Sequence, residues 1–207
     1  MLRLASFMVL LSLIAPCAPD AAERAWIDVT VRVYDVAPVA AADKTRALTI
    51  AAAVLAPAGL EIHFRHCAAA IAEPACGDTL GPDELALRLV RRPSPRVRST
   101  APQPLGDALV DPRRRKGALA TIYLERVEWL ASESRADATL LLGRVIAHEL
   151  VHAFSGQSTH APRGLMRAVW SSWEVARDRA EDWRLQDAEK ALLRSRRQPD
   201  SVRAALR

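Results

Sequence analysis

His148, Glu149 and His152 stand in the order H-E-x-x-H. A helical turn takes about 3.6 residues, so histidines at these two positions share one face and both imidazoles can reach a single ion. Glu149 lies about 100° further round the helix, beside such an ion rather than on it. A carboxylate there can take a proton from a metal-bound water. A catalytic zinc takes about three protein ligands and a water. His160 is the best candidate for the third, just past a turn at Gly156 and within a Ser/Thr/Gln segment that can fold back beneath the helix. Glu174 is the alternative, but Ser171-Ser172-Trp173-Glu174 reads as a capping box, which would occupy that carboxylate. Gly164-Leu165-Met166 can make a tight turn that brings the methionine under the metal as packing.

The histidines require a helix to carry them. Leu142, Ile146, Leu150 and Phe154 form an apolar stripe at i, i+4 spacing, with Leu141, Val145, His148 and His152 in the neighbouring row. Ser134 or Asp137 can cap the start, and Gly156 can end the helix in a left-handed turn. Such a helix is buried on most sides. Two buried histidines need partners, and a metal supplies one to each.

In this stretch the chain resembles the metzincin zinc peptidases. Those proteins carry a long helix with H-E-x-x-H, a glycine turn, a third histidine ligand and a methionine turn. It also resembles uncharacterised secreted bacterial proteins with the pattern H-E-x-x-H-x-x-x-G-x-x-x-H-x-x-x-G-x-M. His148, Glu149, His152, Gly156, His160, Gly164 and Met166 match that pattern. The usual metzincin pattern is H-E-x-x-H-x-x-G-x-x-H; here the glycine comes one residue late and the last histidine two residues late. The resemblance implies a bound Zn²⁺, with Glu149 as general base toward a zinc-bound water and a peptide or protein as substrate. It also implies an edge strand above the cleft that pairs with an extended substrate.

With 207 residues, half of them apolar, the chain is long enough for one domain with a real core. Residues 1–22 read as a signal peptide: Arg3 begins a short basic end, and 4–14 are nearly all apolar, too short to span a bilayer. The single domain is then 23–207, exported to the periplasm or beyond. Lipid attachment at Cys17 is disfavoured by Pro16. The mature chain has no transmembrane span. It retains Cys67 and Cys76, an even pair that reads as a disulfide in an oxidising compartment.

Alternating residues from Ile27 to Val33, from Leu60 to Phe64 and from Leu85 to Leu89 read as half-buried strands, which puts His63 on a polar surface. Residues 41–55 read as a helix closed by Pro57 and Gly59, 67–82 as a loop, 105–110 as a weak strand and 118–124 as a better strand, and the resemblance implies that 105–110 is the edge strand. A short helix over 125–130 precedes the zinc helix. Trp170 and Trp173 are expected as core anchors. Residues 185–197 should form a last amphipathic helix, with Ala180, Trp183, Ala188, Leu192 and Leu193 facing inward.

This order describes an α+β (mixed α/β) fold. A small twisted mixed sheet is packed by the first helix and the buried zinc helix, with further helices at the C-terminal end. The net charge of +5 is concentrated in a Pro-rich loop over 91–117 containing Arg91, Arg92, Arg96, Arg98 and Arg113 to Lys116. Little aromatic interleaving accompanies it, so a solvated loop is favoured and no nucleic-acid partner is expected. The function expected is a secreted zinc metalloendopeptidase. The alternative is a catalytically silent zinc-binding or cell-envelope binding domain.

Overall fold

The computed structural model describes residues 26–67, 74–82, 84–93, 104–111, 113 and 116–195. The expected signal peptide, Cys17 and the middle of the basic loop lie outside these residues.

Five strands form one sheet in the order β2-β1-β3-β5-β4: β1 (Ile27–Asp35), β2 (Leu60–His66), β3 (Glu84–Val90), β4 (Gly106–Asp111) and β5 (Lys116–Tyr123). β4 alone is antiparallel to its neighbour, and it forms one edge. Alternation decides which side of the sheet is covered. Val29, Val31 and Val33 of β1 are buried with Leu85, Leu87 and Leu89 of β3, as the two-residue period requires. Against this face pack α1 (Ala41–Leu55) and α4 (Ala138–Ser155). α1 contributes Ala47, Leu48, Ala51 and Leu55, and the 3-10 turn that follows it, Ala56–Ala58, ends at Gly59 with φ +83°.

α4 is the central element. Asp137 caps it by accepting from the Leu140 N–H at 3.0 Å, and Gly156 ends it at φ +62° with its N–H on His152 O. Ser134 instead belongs to α3 (Leu124–Ser134), where its hydroxyl donates to Leu130 O. α3 is therefore a turn longer than 125–130. Two bare backbones let α4 approach its neighbours. A Cβ at Gly143 would stand 2.7 Å from Ala47 O of α1, and one at Gly117 of β5 would stand 2.4 Å from Ala153 O. No helix among the described residues is long and apolar enough to cross a membrane.

Cys67 and Cys76 form the expected disulfide, with Cα atoms 5.6 Å apart. The loop expected over 67–82 contains a short helix, α2 (Pro74–Gly77). This segment is tied to the other side of β1: Tyr34 donates to Cys76 O at 2.8 Å, and Arg32 donates to Asp78 O at 2.7 Å while pairing with Glu84.

Two expectations near the C-terminal end need correction. Trp173, in α5 (Ser172–Arg177), is 65% exposed and lies against the Arg177 guanidinium, whereas Trp170 is buried. The last helix, α6, spans Asp187–Ser195. Trp183 and Leu193 are buried and Leu192 is half-buried, but Ala180 and Ala188 face solvent. Alanine has too little apolar area to compete for the core against Trp183 and Leu185.

Candidate metal centre

α4 carries His148 and His152 on one buried face, one turn apart. The chain then turns at Gly156 and returns His160 to the same point. His152 Nε2 lies 3.0 Å from His148 Nε2 and 3.2 Å from His160 Nε2. The three rings thus converge through their far nitrogens, as a group able to hold a metal ion.

The backbone sets which nitrogen faces inward. His148 Nδ1 is 2.8 Å from Leu165 O, and His152 Nδ1 is 2.7 Å from Gln157 O. A carbonyl can only accept, so each Nδ1 carries the proton and each Nε2 presents a lone pair. Lone pairs facing one another at these distances repel unless a cation lies between them. The fit to an ion is good: ligands about 2.0–2.1 Å from a tetrahedral centre are separated by about 3.3 Å. Burial drives the same choice of protonation state. It lowers the pKa of His148 to about 3, with help from His152, and lowers those of His152 and His160 as well. The neutral imidazole that burial favours is the form able to bind a metal.

The glycine-methionine segment supports the site through its backbone. Gly164 adopts φ +78°, and the turn places Leu165 O on His148. Leu165 N–H donates to Arg184 O at 3.0 Å, and Ala161 N–H donates to Met166 O at 2.8 Å, which ties the two ends of the His160 segment together. Met166 itself is buried in the core. Trp170 stands edge-on to His148 at 5.5 Å and to Trp183 at 5.1 Å, and the Arg144 guanidinium covers Trp183 from 4.0 Å.

Glu174 is engaged elsewhere. It accepts from Ser171 N and Oγ in the expected capping box and pairs with Arg167. It is not in the metal-holding group, whereas His160 is. His63 is exposed, as read from its strand, and sits 3.4 Å from Asp28 and 4.0 Å from Glu61, a solvent-facing group of a kind common without a metal.

The histidines open on a cleft of about 1260 Å³ whose lining includes Glu149, β4 and Trp170. Glu149 is only 6% exposed, and burial, with Asp107 adding to it, raises its carboxyl to about 8. Tyr123, at the end of β5, donates to Asp107, and burial pushes its phenol well above the usual range. Gly106, Asp107 and Tyr123 were not legible as site residues. They belong to no spaced motif: Gly106 and Asp107 reach the cleft, and Tyr123 reaches Asp107 behind it, only because β4 pairs with β5. The described end of the basic loop is also occupied: Arg91 and Arg92 pair with Glu128 and Glu125 of α3.

No protein-family model matches the chain, and no curated protein matches it in sequence. Among solved structures, it is similar to a zinc-dependent peptidase from Methanocorpusculum labreanum (strain Z), with a TM-score of 0.50 at 16% identity over 79% of this chain and 99% of that one. It is also similar to archaemetzincin from Methanopyrus kandleri (TM-score 0.48, 18% identity, covering 85% and 98%). A third similar structure is metalloproteinase-II from Bacteroides fragilis (0.48, 10%, covering 88% and 56%). The first of these likenesses is one of fold.

Proposed function

We infer that this protein is a zinc-dependent peptidase, with His148, His152 and His160 holding the ion and Glu149 acting as general base. One observation carries the reading: the Nε2 atoms of three histidines converge on one point, and the two buried ones on α4 have their opposite nitrogens fixed on carbonyls while the exposed His160 closes the group. The shared fold with a protein described as a zinc-dependent peptidase supports it.

Bound zinc supplies Lewis acidity, polarising a substrate carbonyl and making a water acidic near neutral pH. The remaining work falls to the chain. Among the described residues β4 pairs with β5 alone and leaves its other edge to the cleft, where an extended peptide can add as a further strand. Glu149 accepts a proton from the attacking water and returns it to the departing amine nitrogen, so the peptide bond is exchanged for a carboxylate and an amine. Asp107 and Tyr123 flank this base. Residues 1–22 are proposed as a signal peptide ahead of a single exported domain, a setting in which the Cys67–Cys76 disulfide persists.

The test is Glu149→Gln. It should retain zinc while cleavage of an unstructured protein substrate falls by about 10²–10⁴-fold. Turnover equal to wild type would remove Glu149 from the role of base. A wild-type protein that binds zinc and cleaves no peptide would leave a metal-binding domain of the same fold.

A further inference from the structure

Gly106 opens β4 at the rim of the cleft and is buried. Its backbone does not demand glycine, since the positive-φ glycines are Gly59, Gly156 and Gly164. The space above Glu149 does. A Cβ at Gly106 would stand 2.8 Å from Glu149 Cγ, 3.0 Å from Glu149 Oε1 and 2.7 Å from Thr121 O. Carbon atoms in contact rest at about 3.5–4.0 Å, so a methyl group there has no room while Glu149 stays where it is.

A second observation gives this contact its meaning. Among the described residues no hydrogen bond holds the Glu149 carboxylate, although the neighbouring histidines are each held by a carbonyl or by one another. The side chain of the base is therefore placed by packing. Its floor is α4 and its ceiling is the bare Cα of the edge strand.

We propose that Gly106 is a positioning residue for Glu149: the missing side chain lets β4 close onto the base and fixes where its carboxylate meets the attacking water. The proposal rests on Glu149 as the base. It also gives the edge strand a second task. The backbone that would align an extended substrate is the same backbone that sets the height of the carboxylate beneath it, so the two are aligned by one element.

Gly117 provides the contrast. A Cβ there would also collide, at 2.4 Å, but its three nearest atoms all belong to the Ala153 backbone. It is a structural glycine, and replacing it should act the same way whatever stands at position 149.

The experiment combines kinetics with a melting cycle on the full chain. Gly106→Ala should keep its zinc and its KM while kcat falls by roughly 100-fold, the scale of a displacement of about 1 Å in a catalytic group. Independently of turnover, Gly106→Ala should lower the Tm by several degrees, about 4 °C or more, from overpacking. Part of that loss should disappear in a Glu149→Ala background, where Cγ and Oε1 are gone and only the 2.7 Å approach to Thr121 O remains. Gly117→Ala should melt equally early in both backgrounds. If Gly106→Ala alone does not fold, adding Glu149→Ala should restore folding. An equal Tm loss in both backgrounds, or failure of that restoration, would assign the clash to Thr121 O and overturn the proposal. So would wild-type kcat in Gly106→Ala. Absence of cleavage by the wild-type protein would sink the peptidase reading separately, and the melting cycle would still decide whether Gly106 confines Glu149.

Discussion

Gly164→Ala perturbs the metal centre without touching a ligand. Gly164 sits at φ +78°, and a Cβ on it would come within 2.5 Å of both Arg184 O and Gln186 Nε2. The left-handed conformation costs an alanine about 1–2 kcal/mol. Relief of the clash separates Leu165 N–H from Arg184 O, now 3.0 Å apart, with loss of about 0.5–1.5 kcal/mol. The sum, about 1.5–3.5 kcal/mol, corresponds to a fall in Tm of about 3–14 °C for a domain of this size. The same movement takes Leu165 O away from His148 Nδ1. Loss of such an orienting bond weakens metal binding by about 10–100-fold. Thermal melts in excess chelator measure the first effect, and competition against a zinc-binding chromophore measures the second. A variant that melts early but binds zinc as tightly as wild type would refute the claim that this turn holds His148 in place.

Replacing Cys67 and Cys76 together with serine should destabilise the protein by about 2–3 kcal/mol, read from denaturant unfolding, and leave zinc affinity unchanged because the bridge anchors the side of β1 away from α4. The Glu84 carboxyl is held below the usual range first by the Gly81 N–H and then by Arg32. Its contribution is thus present above the unfolded pKa of about 4.3 and is lost as the pH falls through the lower folded value. Glu84→Gln should therefore melt earlier than wild type at neutral pH, with the gap closing in strong acid; a constant gap would argue against the pairing. Gly143→Ala forces apart α1 and α4 at their closest approach and should lose about 1–3 kcal/mol of stability without releasing zinc. Equilibrium unfolding of the zinc-loaded protein checks it.

The elements that hold the centre were legible because their signals are local. The stripe from Leu142 to Phe154, Asp137 and Gly156 fix α4 from cap to stop, and Ala41–Leu55 matches the helix read from its apolar repeat and the Pro57 and Gly59 that close it. His160 was preferred to Glu174 because the capping box already used that glutamate, and the fold brings His160, not Glu174, to the other two histidines. What escaped depends on partners distant in sequence. Trp173 has the composition of a core residue, yet α5 is one short turn and a half whose buried side is taken by Val175. Asp107 and Tyr123 meet only through the antiparallel β4–β5 pairing, and Gly106 matters only because Ile122 stands opposite it and Glu149 beneath. Periodicity reports which face of an element is apolar. It does not report what lies across from it.

The most direct test of the three-histidine centre is the zinc content of the purified protein after equilibration with zinc and desalting. The account predicts about one zinc per chain in the wild type, the number that one set of three protein ligands can hold. It predicts none in His148→Ala/His152→Ala and sharply weaker binding in His160→Ala. A wild-type chain that retains no zinc, or a His160→Ala variant that binds it at undiminished affinity, would contradict it.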